Sequence, residues 1–308
     1  MTELTIVMYH YIRPIVGSEF PGIKGLEIEG FKRQLDFLET NYSIVSSEQV
    51  IDKITKNKAL PHKACWLTFD DGYKDHYQYV LPELLSRNLS GAFFPPSGAV
   101  QDNELLDVNS IHHILSCSND VNKLVTDLKH LCLELGTTSE QIQDYYKEYA
   151  VANKHDNADT IFIKRMLQHV LPDQVRSEII SILFEKVVGI QKAELSNRLY
   201  MSVDEVRKLV SSGMYVGSHG SEHYWLDRIN YQKQKVDISS SLEFLEEVGA
   251  PTSNWIMCYP YGAYNDITLS LLRELGASIG ITTKSRKANL GIDHPLTLPR
   301  LDTNDFPQ

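Results

Sequence analysis

Two short clusters in this chain carry residue types that could do chemistry together. The run Trp66-Leu67-Thr68-Phe69-Asp70-Asp71-Gly72 sets two adjacent carboxylates just past an apolar stretch. Neighbouring side chains on an extended segment point to opposite faces, so one acid can ligate a metal while the other handles a proton. Asp and Gly also favour turns, and alone the run is what an ordinary turn looks like. The second cluster, Gly217-Ser218-His219-Gly220-Ser221-Glu222-His223, supplies two imidazoles four residues apart. On a helical turn that spacing sets both rings on one face, as in zinc sites. Two His and one carboxylate leave a coordination position open for water, the arrangement of a catalytic rather than a closed structural site. A third segment, Tyr259-Pro260-Tyr261-Gly262-Ala263-Tyr264, combines rigidifying Pro and Gly with three tyrosines. Its backbone amides could face a reaction centre and its rings a sugar, although tyrosines in loops more often simply pack.

All three clusters follow short apolar runs, and those runs must position them. The runs are Leu4–Tyr11, Ala64–Phe69, Gly91–Phe94, Tyr215–Gly217, Trp255–Tyr259, Ser278–Thr282 and Leu296–Leu301. They lack strict alternation, as parallel strands buried on both faces do. Helical patterns lie between them: Phe31, Leu35 and Leu38 at i, i+4, i+7, and Val80, Leu81, Leu84 and Leu85 within Tyr77–Arg87. Ser202-Val203-Asp204-Glu205 is a capping box that opens a helix through Val206, Leu209 and Val210, with Gly213 ending it. Alternating strand and helix implies a parallel α/β sheet, open or closed into a barrel, whose sites gather at strand C-terminal ends. From about 103 to 199 the alternation stops. Val121, Leu124, Leu128, Leu131 and Leu135 form one helical stripe, and Ile179, Ile180, Leu183 and Val187 another. The expected organisation is a discontinuous barrel of residues 1–102 and 200–308 with a helical insertion at 103–199.

Composition narrows the partners. The 308 residues are 42% hydrophobic and carry 40 Asp plus Glu against 30 Lys plus Arg. That balance disfavours a nucleic-acid or anionic-membrane partner, which would select a basic face. Cys65, Cys117, Cys132 and Cys258 form no C-x-x-C pair and are expected to be reduced. The apolar start Leu4–Met8 has no basic leader and no stretch reaches the roughly 20 apolar residues of a membrane helix, so a cytoplasmic protein without a membrane segment is expected.

Taken in order, Thr68-Phe69-Asp70-Asp71-Gly72, His219-Gly220-Ser221-Glu222-His223 and Tyr259-Pro260-Tyr261-Gly262 resemble the motifs of the NodB-type polysaccharide deacetylases. The flanks Gly72-Tyr73-Lys74-Asp75 and Met201–Gly217 resemble that family too, whereas the helical insertion lies outside the resemblance. The resemblance implies an α/β fold, a distorted (β/α) barrel with a divalent metal, usually zinc, at the strand C-termini. It implies Asp71, His219 and His223 as metal ligands, Asp70 as general base and the amide of Tyr261 as oxyanion donor. Pro260, Tyr264 and Tyr73 fall on the substrate side of the same reading.

Two positions depart from the family pattern. Many members carry an Arg two residues before the Pro of the third motif, and this chain has Cys258 there. A neutral thiol cannot hold a carboxylate, so another cation must orient Asp70; Arg300, in Leu298-Pro299-Arg300-Leu301, is the candidate, with a surface pairing to Asp302 as its ordinary alternative. The late general-acid His of many members is also missing, and His294 lies on the wrong side of the last apolar run. His10, in Met8-Tyr9-His10-Tyr11, resembles the early Tyr-His of the biofilm-polysaccharide branch and is the candidate acid or substrate contact. The expected activity is removal of an N-acetyl or other N-acyl group from an amino sugar in a polysaccharide, oligosaccharide or glycan precursor. A carbohydrate-binding protein that kept the barrel and lost catalysis is the competing expectation, and N-formyl or O-acetyl groups are alternative leaving groups.

Overall fold

The computed structural model describes residues 3–153 and 156–307. These divide into two compact units: one runs to Pro14 and continues in Gly25–Glu104 and from Ser196 onward, and the other comprises Ile15–Lys24 and Leu105–Leu195. Residues 15–24, expected in the barrel, thus fall in the second unit.

The first unit is built on nine strands: β1 (Glu3–Tyr9), β2 (Ser43–Ile44), β3 (Ala64–Asp70), β4 (Ala92–Phe94), β5 (Tyr215–Val216), β6 (Ile256–Cys258), β7 (Ile279–Ser285), β8 (Ala288–Asn289) and β9 (Leu298–Asp302). Seven of them follow the order β5-β4-β3-β1-β9-β7-β6, while β2 pairs with β3 and β8 with β1. Every pairing is parallel except β1 with β8. The two ends of the path meet: Ser218, just beyond β5, donates to Ile256 O and accepts from the Cys258 amide, which closes the sheet into a distorted (β/α) barrel.

The period of two along each strand sorts its side chains. On β3, Cys65, Leu67 and Phe69 join a core that includes Phe31, Leu35 and Leu38 of helix Ile28–Asn41. Ala64 and Trp66 face the other way, into a second core with Leu4, Ile6, Phe94, Ile256, Ile281 and Leu298. That alternation carries Thr68 and Asp70 to the inner face. The same count brings Arg300 to the inner face of β9, two residues after Leu298, and His10 beside Asp70, because Tyr9 pairs with Phe69. The capping box at Ser202 opens the helix Val203–Ser211 and the left-handed Gly213 follows its end, as expected, and Met214 N donates to Leu209 O beyond it.

The second unit is helical, with helices Asp107–Cys117, Val121–Glu134, Ser139–Tyr149, Ala158–Arg165 and Asp173–Val187. The 179-180-183 stripe is buried, but in Val121–Glu134 the buried face is Leu124, Val125, Leu128 and Cys132, rotated off the expected Leu131 and Leu135. The four cysteines are free, and no described helix is long and apolar enough to cross a membrane.

Candidate active site

Eight described non-glycine residues have a left-handed backbone; four are asparagines, which tolerate it, and the others are Lys63, Asp71, His223 and Tyr261. Three of those four lie in the three motif loops. Strain of this kind persists where the surroundings over-determine it, often at functional sites. Each loop is forced into a sharp turn at a strand's end. After β3, Asp71 has φ 72° and Gly72 φ 66°, and a Cβ on Gly72 would meet Pro95 at 2.7 Å. The second loop is not helical, contrary to the expected helical turn. Gly220 (φ 70°) and His223 (φ 56°) fold it back instead, bringing the two ring centroids to 4.8 Å.

The result is a convergence on one oxygen. Asp71 Oδ1 lies 3.2 Å from His219 Nε2 and 3.4 Å from His223 Nε2. Donor atoms around a tetrahedral cation, bound at about 2.0–2.1 Å each, stand about 3.3 Å apart, so this trio fits such an ion. Their outer contacts fit too. His219 Nδ1 donates to Cys258 O at 2.7 Å, which leaves Nε2 as the inward lone pair, and Tyr73 donates to Asp71 Oδ2 at 2.6 Å. All three side chains are buried. Burial would raise the Asp71 carboxyl, but hydrogen bonds from both imidazoles hold it well below the usual range. Burial would likewise lower both rings. His219 is nevertheless raised well above its ordinary value by Cys258 and Asp71, whereas in His223 burial prevails over Asp71. Both imidazoles thus converge on one carboxylate, and a divalent cation held there would take the place of the protons between them. Asp70, His219 and Cys258 also cluster closely. Asp70 is committed elsewhere, though, and burial raises the Cys258 thiol, away from the thiolate that binds metals.

Asp70 points to Arg300. Its two oxygens accept from Arg300 Nη1 and Nη2 at 2.8 and 2.7 Å, a bidentate pair in which both residues are buried. Arg300 is fixed in turn by Thr282 O, the Thr68 hydroxyl and Cys258 Sγ. The thiol at the departed position therefore touches the guanidinium that orients the acid. Burial would raise Asp70, yet Arg300 holds it below the ordinary carboxylate value, so it is ionised at neutral pH. His10 Nε2 stands 3.8 Å from Asp70 Oδ2 with its side chain 40% exposed, on the open side of the pair.

His10 is steadied by His76, a side chain that carries no signal in the sequence. His76 is fully buried, and its Nε2 donates to His10 O at 2.9 Å while Nδ1 has no partner among the described residues. Burial lowers its pKa to about 4. A histidine whose folded value lies below its unfolded one contributes stability that is complete above the unfolded value and is lost as pH falls through the folded one. Between pH 6.5 and 4 the metal-free protein is therefore expected to lose up to ~3 kcal/mol on this account. Urea midpoints at pH 7 and 4.5 check it: His76→Gln, which can still donate to His10 O, should lose less stability over that interval than wild type. Equal losses would disprove the assignment.

The remaining residues of the expected site separate. Pro260 is buried at the start of the short turn Pro260–Gly262. Tyr261 lies with its ring 4.7 Å from His223 and stacked at 4.4 Å on Trp225, a residue the motifs do not include. Tyr73, expected on the substrate side, is instead buried with its hydroxyl on Asp71 and its ring stacked 4.1 Å from Tyr11, which removes it from any substrate surface. Tyr264 is turned to the Tyr259 ring at 5.0 Å, in the core around Trp255, rather than to Asp71, His219 and His223. His294 caps the turn at Pro295, as far outside the site as its place in sequence suggests.

The chain thus sets a carboxylate, two imidazoles and a second, oriented carboxylate together at the strand ends of a parallel barrel, where such folds gather their active sites. Residues 169–280 match the family model described as Polysaccharide deacetylase. The matched stretch holds the second and third motifs, His219-Gly220-Ser221-Glu222-His223 and Tyr259-Pro260-Tyr261-Gly262, and not the first. A curated relative, YxkH of Bacillus subtilis (strain 168), described as a polysaccharide deacetylase, is 22% identical over 95 residues, 31% of this chain and 34% of that protein. The chain thus matches about a third of that relative's length. Among solved structures it is similar to the Streptococcus pyogenes deacetylase PplD in complex with acetate, with TM-score 0.60, 18% identity and coverage of 98% and 92% of the two chains. IcaB from Ammonifex degensii gives TM-score 0.57, 19% identity and coverage of 97% and 91%. The de-N-acetylase from Aggregatibacter actinomycetemcomitans gives 0.56, 18%, 98% and 96%. At these identities the likeness establishes the fold.

Proposed function

We propose that this protein is a metal-dependent hydrolase that removes an N-acetyl group from an amino sugar within a polysaccharide, oligosaccharide or glycan precursor. The observation that carries the reading is the shared position of Asp71 Oδ1 between His219 and His223, beside an Asp70 gripped by Arg300. A divalent cation, Zn2+ as the leading candidate, would be held by Asp71, His219 and His223, polarise the acyl carbonyl and lower the pKa of water from about 16 toward 7.

The proton chemistry belongs to the chain's own groups. Asp70 takes the proton of the attacking water, and Arg300 fixes both its aim and its charge. His10, on the exposed side of Asp70, passes a proton to the departing sugar nitrogen. The amide of Tyr261, in a backbone bend set by the adjoining Gly262, stabilises the oxyanion. The Tyr261–Trp225 stack offers an aromatic surface next to His223 for a sugar ring. Carbohydrate-binding without turnover gains no support from Cys258, because Arg300 supplies the cation that this position lacks.

Acetate release from N-acetylglucosamine oligomers tests the reading. Zinc- or cobalt-loaded protein is expected to release acetate, chelator-treated protein to release none, and metal added back to restore release. Glycan binding that survives chelation, with no turnover under any metal, would instead support the binding-protein alternative.

A further inference from the structure

The loop between the two imidazoles is held from both sides. Ser97 N and Gly98 N, just past β4, donate to Gly220 O and Ser221 O at 3.1 Å each. On the opposite side stands Asp237, on the helix Tyr231–Glu247, which is far from every motif in sequence and contributes nothing to the chemistry above. Its Oδ1 accepts from two successive amides, Ser221 N at 3.1 Å and Glu222 N at 2.8 Å. Successive amides converging on one oxygen form a small anion-binding concavity, and a charged acceptor there is roughly twice as strong as a neutral one. Asp237 is only 2% exposed, and its Oδ2 has no partner among the described residues. That oxygen lies against the backbone of Gly220, where an added Cβ would meet it at 2.4 Å. A cavity of about 390 Å³ is lined in part by Ser221, Glu222 and Asp237. Beside the loop the Ser218 hydroxyl bonds to Ser241 of the same helix at 2.6 Å and Leu226 packs with Ile238, but at Ser221 and Glu222 themselves the backbone contacts to the helix are the two hydrogen bonds to Asp237.

We propose that Asp237 is a positioning residue for the metal-ligand loop: by gathering the amides of Ser221 and Glu222 it sets the separation and aim of His219 and His223. The inference rests on the metal reading of the site. A buried carboxylate with one oxygen unpaired is costly for stability alone, since an unsatisfied buried polar atom is penalised. Its use here is geometric. The loop turns through a left-handed Gly220 and a left-handed His223, and Asp237 holds the two residues between them.

The test is cobalt binding by the full-length, metal-stripped chain, read by chelator competition and by the visible spectrum of the bound ion. Asp237→Ala is expected to weaken affinity about 10–100-fold, the usual effect of losing an outer partner of a metal site, and to change the spectrum. Asp237→Asn, which keeps an oxygen for the two amides, is expected to stay near wild type in both. An Ala variant with wild-type affinity and spectrum would overturn the proposal. Should the Ala variant fail to fold, Gly220→Ala replaces it, since its methyl displaces the carboxylate from the loop. The same drop is expected there, and unchanged binding would overturn the proposal equally. Wild-type protein that takes up no cobalt would overturn the metal reading itself, and the role of Asp237 with it.

Discussion

Asp70→Asn protein is expected to release acetate about 10²–10⁴-fold more slowly than wild type, while binding a divalent cation as tightly. The amide has nearly the shape of the carboxylate and keeps one oxygen for Arg300, while its nitrogen faces a guanidinium N–H and the pair loses its charge, so some stability is lost along with the base. What it lacks is a basic oxygen for the water's proton. Asp71, whose Oδ1 faces both imidazoles and whose Oδ2 is held by Tyr73, is untouched by the change. The loss should therefore fall on kcat, with KM and metal stoichiometry close to wild type. Steady-state kinetics with metal analysis on the same preparation separates the two. Turnover at the wild-type rate would remove Asp70 from its role as base.

Arg300→Met is expected to be the most destabilising single substitution in the site, by about 3–5 kcal/mol at neutral pH. The pair it breaks is buried on both sides, Arg300 at 1% and Asp70 at 2% exposure. Removing the guanidinium leaves a carboxylate in an apolar lumen among Trp66, Cys258 and Leu298, and also strips the Thr282 carbonyl and Thr68 hydroxyl of their donor. Against a total stability of about 5–15 kcal/mol, this is a large fraction. The pH dependence has a definite sign. In wild type the Asp70 value is depressed, so its contribution is present above the ordinary carboxylate value and lost as pH falls through the depressed one. In the variant the largest lowering influence is gone and only His10 and His219 still oppose burial, so the value rises and protonating Asp70 relieves part of the penalty. The stability gap to wild type should be narrow near pH 4 and widest at pH 7. Urea unfolding of both proteins across that range checks it, and a gap that does not vary with pH would refute the buried-charge explanation.

The parts of the site legible in sequence are those set by local rules. β-Branched and aromatic runs ending in Asp-Asp-Gly, His-Gly and Pro-Tyr-Gly place three loops at strand ends, and all three loops lie there. Two imidazoles and a carboxylate follow from their chemistry as candidate donors, while the resemblance alone singles out Asp71 from the acidic pair. What escaped the sequence depends on contacts across the barrel. H-x-x-x-H reads as a helical turn because that is the local way to bring residues four apart together. Here the loop is bent by hydrogen bonds it accepts from the Ser97 and Gly98 amides and donates to Asp237, contacts outside the loop's own local sequence. Tyr73, which the resemblance puts on the substrate side, lies buried instead, beyond the sharp turn that the left-handed pair Asp71-Gly72 makes at the strand's end. Arg300 could equally have been a surface residue on so short a strand. Only the register of β9 against β1 and β7 fixes it inside. His76 and Trp225 lie in segments without any motif, and nothing local marks them.

The most direct test of the central claim is an anomalous-scattering map of crystals grown with zinc or cobalt. The expected result is one strong peak within about 2.0–2.2 Å of Asp71 Oδ1, His219 Nε2 and His223 Nε2, absent in crystals of a His219→Ala chain. A fully occupied peak bound by other side chains, or no peak at this trio in metal-saturated crystals, would contradict it.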